Sequence, residues 1–242
     1  MPITDLGLSE PLVRALSQFD EATPVQVAAI PAALGGRDLL VTARTGSGKT
    51  TAFVLPILEK WLAAARSKPK RLHALILVPT RELAAQVREV MQDYARELPE
   101  RIKVVSAVGG VSINPQMMAL RGGADVIVAT LGRLLDLLDH NAFSLKEVGT
   151  LVLDEADRML DLGFADELSQ ILSMLPDERQ NLLFSATFPE KIESIACDFL
   201  RDPKRIEIES EPEDIPDIEQ RAIRVDTAKR TPLLRLLIAE EK

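Results

Sequence analysis

Cysteine is nearly absent. Cys197 stands alone, so no disulfide can close within the chain. Histidine occurs only at His73 and His140, far apart and with no cysteine cluster beside them, which argues against a zinc site. There is no excess of positive charge: 29 Lys and Arg face 37 Asp and Glu, for a net charge of −8. That balance argues against a broad basic nucleic-acid surface but leaves room for a narrow site. No apolar run approaches the ~18 residues of a membrane span. The opening Met1-Pro2-Ile3-Thr4-Asp5 does not resemble a signal peptide. These absences point to a soluble cytoplasmic protein with no membrane partner.

What is present begins with length and apolar content. The 242 residues, 46% of them hydrophobic, suffice for one sizeable α/β domain and are thin for two. The most informative stretch is Ala43–Thr50, Ala-Arg-Thr-Gly-Ser-Gly-Lys-Thr. Before it, Asp38 to Thr42 reads as a short buried strand; after it, Thr51-Ala52-Phe53-Val54-Leu55 opens a helical pattern. A strand, a glycine-containing loop and Lys-Thr opening a helix form a phosphate-binding P-loop. Gly46 and Gly48 allow the backbone N–H groups to approach a polyphosphate, and the helix N-terminus adds its partial positive charge. Lys49 would reach the terminal phosphates, and the Thr50 hydroxyl would help to hold Mg²⁺. Ala43 occupies the position usually held by the first glycine.

The rest of the chain alternates between strands and helices. Ser9 is expected to cap a first helix with Leu12, Val13 and Leu16 on one face. Thr23 is expected to cap a second, with Pro24 at its first position and the Gln26 amide free to reach outward. Strands are predicted over Leu72–Val78, Ile102–Val108, Asp125–Ala129, Val148–Leu153, Asn181–Phe184 and Ile206–Ile208. Helices are predicted after Thr80, through Met117, Met118 and Leu120, after Thr130, over about 164–175 and from Pro189. This alternation predicts a parallel sheet covered on both faces.

In such a sheet, ligands bind beyond the carboxyl ends of the strands. Asp154 follows an apolar strand, where a P-loop enzyme places its Mg²⁺-holding aspartate. Glu155 beside it is a candidate general base for an attacking water. Pro79-Thr80-Arg81 and Thr130-Leu131-Gly132-Arg133 each put backbone N–H groups and an arginine at a helix start, which suits a phosphate. Several phosphate-binding turns on one sheet edge suggest a phosphodiester backbone as well as a nucleotide.

At Asp154-Glu155-Ala156-Asp157 the chain resembles the DEAD-box RNA helicases of superfamily 2. The likeness runs from about Leu6 to Ile208 and corresponds to the first of that family's two RecA-like domains. It rests on Thr-Pro-Val-Gln (23–26), the P-loop, Pro-Thr-Arg-Glu-Leu-Ala (79–84), Gly-Gly (109–110), Thr-Leu-Gly-Arg (130–133), Asp-Glu-Ala-Asp (154–157) and Ser-Ala-Thr (185–187). The resemblance implies an ATP- and Mg²⁺-dependent enzyme acting on RNA. It assigns the nucleotide to Phe19, Thr23, Gln26, Ala43, Arg44, Thr45, Gly46, Ser47, Gly48, Lys49, Thr50 and Thr51, with Gln26 reading the adenine edge. Thr50 and Asp154 would serve Mg²⁺, with Lys49, Asp154 and Glu155 as the catalytic group. Asp157, Ser185 and Thr187 would link nucleotide state to RNA binding. Pro79, Thr80, Arg81, Gly109, Gly110, Thr130, Gly132 and Arg133 would face the RNA backbone. Ile3, Arg44 and Leu131 stand where the family usually has an aromatic residue, glutamine and proline.

The expected organisation is a RecA-like domain over 1–209 that includes the glutamine motif within about 1–28, an acidic linker over 210–219, and the start of a second RecA-like domain over 220–242. The chain is therefore expected to be half of a two-domain machine. An RNA-binding module that uses ATP only as a clamp and a DNA-directed translocase are the alternatives that the sequence leaves open.

Overall fold

A computed structural model describes residues 1–19, 21–64, 71–208 and 222–240. Short apolar runs form the strands: β1 (Leu39–Thr42), β2 (Ala74–Leu77), β3 (Val104–Ala107), β4 (Val126–Ala129), β5 (Thr150–Asp154), β6 (Gln180–Ser185) and β7 (Lys204–Glu207). They pair in the order β3-β4-β2-β5-β6-β1-β7, and every paired neighbour is parallel. The predicted parallel sheet is therefore present, with β3 and β7 at its edges.

Both faces are buried, as parallel pairing with helical crossovers requires. Within β2, Ala74 and Ile76 join one apolar cluster while Leu75 and Leu77 join the other. The first cluster packs under α1 (Glu10–Ala15), α2 (Pro24–Leu34), α3 (Lys49–Ala63) and α4 (Arg81–Ala95). The second takes Leu120 from α5 (Ile113–Leu120) and the apolar faces of α6 (Leu131–Asp139), α7 (Ala156–Asp161), α8 (Ala165–Met174) and α9 (Glu190–Phe199). Phe53 of α3 meets Phe184 of β6 edge-on, with ring centroids 5.2 Å apart. Such a pair adds roughly 0.5–1.5 kcal/mol beyond burial and fixes the P-loop helix against the sheet.

Some local expectations change. Thr80 accepts the Leu83 N–H at 3.2 Å, as a capping threonine should. Ser9 precedes α1, but its side chain makes no capping bond; its backbone N–H donates to Glu59 instead, at 2.9 Å. The six-residue α7 was not foreseen, because its sequence is too short to show helical periodicity. β7 begins at Lys204, two residues before the predicted start, because the Lys204 N–H joins the ladder through Asp38 O.

The amino edge of the sheet is closed by a buried polar cluster. Asp38 accepts the Asn181 N–H at 2.8 Å, the Asn181 side-chain amide at 3.0 Å and the Arg201 N–H at 2.9 Å. Gln180 donates to Ala33 O and Arg37 O and accepts from the Lys60 ammonium. Burial holds the Lys60 pKa below its ordinary value despite the attraction of Asp38.

Contacts along the chain separate Met1–Glu209 from Ser210–Lys242. In the second unit, α10 (Arg230–Glu240) exposes Leu234, Leu236 and Ile238. The acidic linker lies outside the described residues.

Removing the Asp38 carboxylate would take the acceptor from two donors of the buried Asn181 and from the part-buried Arg201 N–H, each loss costing about 1–3 kcal/mol. Asp38→Ala should therefore lower unfolding stability by about 3 kcal/mol or more, read as a shift in urea midpoint. A loss within 1 kcal/mol would show that water replaces the carboxylate.

Candidate nucleotide and nucleic-acid site

Parallel pairing delivers every strand exit to one edge. The P-loop leaves β1, Asp154 ends β5, and Ser185 ends β6, which lies between them. Gly46 and Gly48 have φ of +80° and +94°, backbone that favours glycine. A Cβ on Gly48 would lie 2.6 Å from Gln26 Nε2 and 2.8 Å from Thr23 Oγ1, so the P-loop and the glutamine segment are in direct contact. Gln26 Oε1 accepts the Thr23 N–H at 3.1 Å, and its Nε2 donates to Gly48 O at 3.4 Å. The amide is thus engaged at both ends, not free to reach outward. Thr23 Oγ1 is buried without a hydrogen-bond partner among the described residues.

Beside this contact is a cavity of about 200 Å³, lined by Ile3, Phe19, Thr23, Gln26, Gly48 and Tyr94 among others. Tyr94 is a buried residue of α4. Its hydroxyl lies 2.9 Å from Thr51 Oγ1, joining α4 to the first turn of α3. A larger cleft, about 380 Å³, lies between α8 and α9 near the amino edge and contains none of the P-loop residues.

Lys49 is buried, and its ammonium donates to Ala43 O at 2.8 Å. Asp154 is 3% exposed, and burial is the main reason its pKa rises from 3.8 to about 6; the Lys49 charge only partly offsets it. A buried carboxylate short of positive charge, with a threonine hydroxyl on the neighbouring P-loop, fits Mg²⁺, which takes one or two carboxylates together with phosphate oxygens. The described residues contain no group of three acids, histidines or cysteines able to hold a metal alone. Glu155 has φ 54° and ψ 50°, a left-handed conformation that costs a non-glycine residue about 1–3 kcal/mol. Its carboxylate is 3.3 Å from Arg158 Nη1.

Asp157, Ser185 and Thr187 come together. Asp157 Oδ2 accepts the N–H groups of Ala186 and Thr187, at 3.2 and 2.9 Å, and the Thr187 hydroxyl at 2.9 Å. Ser185 Oγ accepts the Asp157 N–H at 3.3 Å. Burial alone would raise the Asp157 pKa, but the Thr187 bonds, helped by Ser185 and the Arg158 N–H, hold it below the ordinary carboxylate value.

On the other half of the edge, Thr80-Arg81, Gly109-Gly110 and Thr130-Gly132 leave β2, β3 and β4. Arg81 is exposed and pairs with Glu82 at 2.7 Å. A Cβ on Gly110 would lie 3.0 Å from Arg81 Nη1. Arg133 is turned inward: its side chain is 10% exposed and donates from Nη2 to Val111 O at 2.8 Å.

The family model for DEAD/DEAH box helicases matches residues 23–195. The chain belongs to that family. It is 42% identical over 227 residues to the DEAD-box ATP-dependent RNA helicase CshA of Streptococcus pneumoniae, covering 93% of this chain and 42% of the relative. It is 41% identical over 240 residues to the ATP-dependent RNA helicase DeaD of Escherichia coli, covering 98% and 37%. The chain thus spans under half the length of these relatives. Among solved structures, it is similar to the yeast DEAD-box splicing factor Prp28, with a TM-score of 0.79 at 36% identity, covering 98% of this chain and 58% of that one. A DEAD box protein of Methanococcus jannaschii gives the same TM-score at 33% identity, covering 98% and 63%. The RecA-like α/β fold is that of these DEAD-box proteins.

The buried Asp154 charge sets a test of stability. Its folded pKa is raised, so the folded state binds the proton more tightly, and this contribution to stability is lost as pH rises through about 6. Asp154→Asn removes the ionisation. It should stabilise the nucleotide-free chain at pH 7.5 by up to about 3 kcal/mol, with the gain vanishing below pH ~4. Equal melting temperatures for parent and variant across that range would contradict the burial argument.

Proposed function

We propose that this chain is the ATP-binding and RNA-binding half of a cytoplasmic ATP-dependent RNA helicase, which couples hydrolysis to local separation or remodelling of RNA duplexes. The observation carrying this reading is the Asp157 carboxylate, which bonds the exit of β6 to the acidic segment after β5. A group placed there responds to the nucleotide site and is shared with the segment that leaves the sheet next to it. Lys49 and the N–H groups opening α3 would hold the phosphates, and Gln26 would meet the adenine edge once its amide turns from Gly48 O. Thr50 and Asp154 would hold Mg²⁺. When bound, that ion neutralises charge developing on the phosphate oxygens. Glu155 accepts a proton from the attacking water, and Thr80, Arg81, Gly109, Gly110, Thr130 and Gly132 present the RNA-facing turns.

A second RecA-like domain is the proposed partner, since phosphoryl transfer in P-loop enzymes gains about 10³–10⁵ from an arginine supplied to the site. We read residues 220–242 as the opening of that domain and 210–219 as its linker. The chain alone should bind nucleotide weakly and show little RNA-stimulated turnover.

Two measurements test this function. In the protein joined to a second RecA-like domain, Glu155→Gln should slow RNA-stimulated phosphate release by about 10²–10⁴ while nucleotide affinity holds. Turnover at the parent rate would remove Glu155 from the chemistry. Arg81→Ala should weaken RNA binding on all sequences and reduce the log–log salt slope by up to roughly 0.7, the share of one phosphate on a single strand. An unchanged slope would mean that Arg81 meets no phosphate.

A further inference from the structure

The turn Val108–Ser112, between β3 and α5, is gripped by two buried side chains. Gln116 of α5 is 9% exposed. Its Oε1 accepts the Val108 N–H at 3.0 Å, while its Nε2 donates to Val108 O at 3.1 Å and to Ser112 O at 3.3 Å. Arg133 of α6 takes the carbonyl between them, Val111 O, and its Nε stands 3.5 Å from Asp136. Three carbonyls of the turn are thereby drawn inward. The N–H groups of Gly109, Gly110 and Val111 donate to no acceptor among the described residues. Consecutive free N–H groups on a tight turn make a concave site for an anion.

From this geometry we infer that Gln116 and Arg133 are positioning residues. Together they clamp the Gly109–Val111 turn with its donors outward, and Arg133 acts through the turn instead of neutralising a phosphate itself. The contrast with Arg81 is physical. Arg81 is exposed and lies over Gly110, whereas the Arg133 side chain is nine-tenths buried: its Nη2 donates to Val111 O, and its Nε and Nη1 have no hydrogen-bond partner among the described residues, with Asp136 as the nearby countercharge. β3 is an edge strand with a ladder partner on one side only. Its exit therefore lacks the bracing that a second neighbour would provide, and the side chains supply it. The consequence for RNA rests on the proposed backbone-binding role of this edge; the clamp itself does not.

The test separates the two. Nitrogen-15 order parameters for Gly109 to Ser112 are measured in the nucleotide-free and RNA-free 242-residue chain, for the parent, Gln116→Leu and Arg133→Met. The parent turn should be rigid, near 0.85, and each variant should fall below about 0.6 there with the strands unaffected. If Gln116→Leu does not fold, Arg133→Met decides alone. A rigid turn in the variants overturns the clamp. Affinity for an oligouridylate RNA is then followed across a salt series. Arg133→Met should weaken it about tenfold, the cost of a lost charged hydrogen bond, at an unchanged slope. A slope lower by roughly 0.7 would make Arg133 a phosphate ligand and overturn its positioning role. If the parent binds no RNA, the RNA reading fails, while the order parameters still decide the clamp.

Discussion

Parallel pairing is the constraint on which the site depends. Every strand runs in the same direction, so every exit lies on one edge, and residues separated by more than a hundred positions become neighbours. Asp154 feels the charge of Lys49 across β6, and Asp157 grips Thr187 at the exit of the strand between them. None of these contacts needs a specialised loop of its own. They follow from strand order, once apolar runs bury both faces of the sheet.

The same edge concentrates unfavourable conformations. Glu155 holds a left-handed backbone, and Asp154 keeps a carboxylate where water cannot solvate it. At the opposite edge, Asp38 and Asn181 bond each other, while Gln180 bonds the main chain of Ala33 and Arg37 and the Lys60 ammonium. Strain at one end of the sheet is thus supported by a well-bonded frame at the other, an arrangement common where sites are held ready for charge.

Much of this was legible in the sequence because it is local. The P-loop is a contiguous pattern, Thr80 caps the helix that begins at the next residue, and the apolar runs mark the strands to within one or two residues. What was not legible depends on distant partners. Gln26 was read as free because Gly48, which its amide meets, lies 22 residues away. The Asp38–Asn181 contact joins residues 143 apart, and no spacing rule reports it. Gln116 left only a faint signal, a polar residue on the inward side of a short helix after two glycines. Arg133 is expected from its motif to face the RNA backbone; its turn inward depends on Val111, 22 residues away, which no spacing rule reports.

The contact between Gly48 and the glutamine segment restricts how the site can change. With no room for even one carbon between the P-loop backbone and the side chains of Thr23 and Gln26, the two segments act as a single part made from two pieces of sequence. A larger residue on either side displaces the other, and a smaller residue at 26 removes the carbonyl's donor from Gly48. A change at Thr23, Gln26 or Gly48 in one segment would therefore disturb the other, so variants at these positions have to be exchanged as a pair.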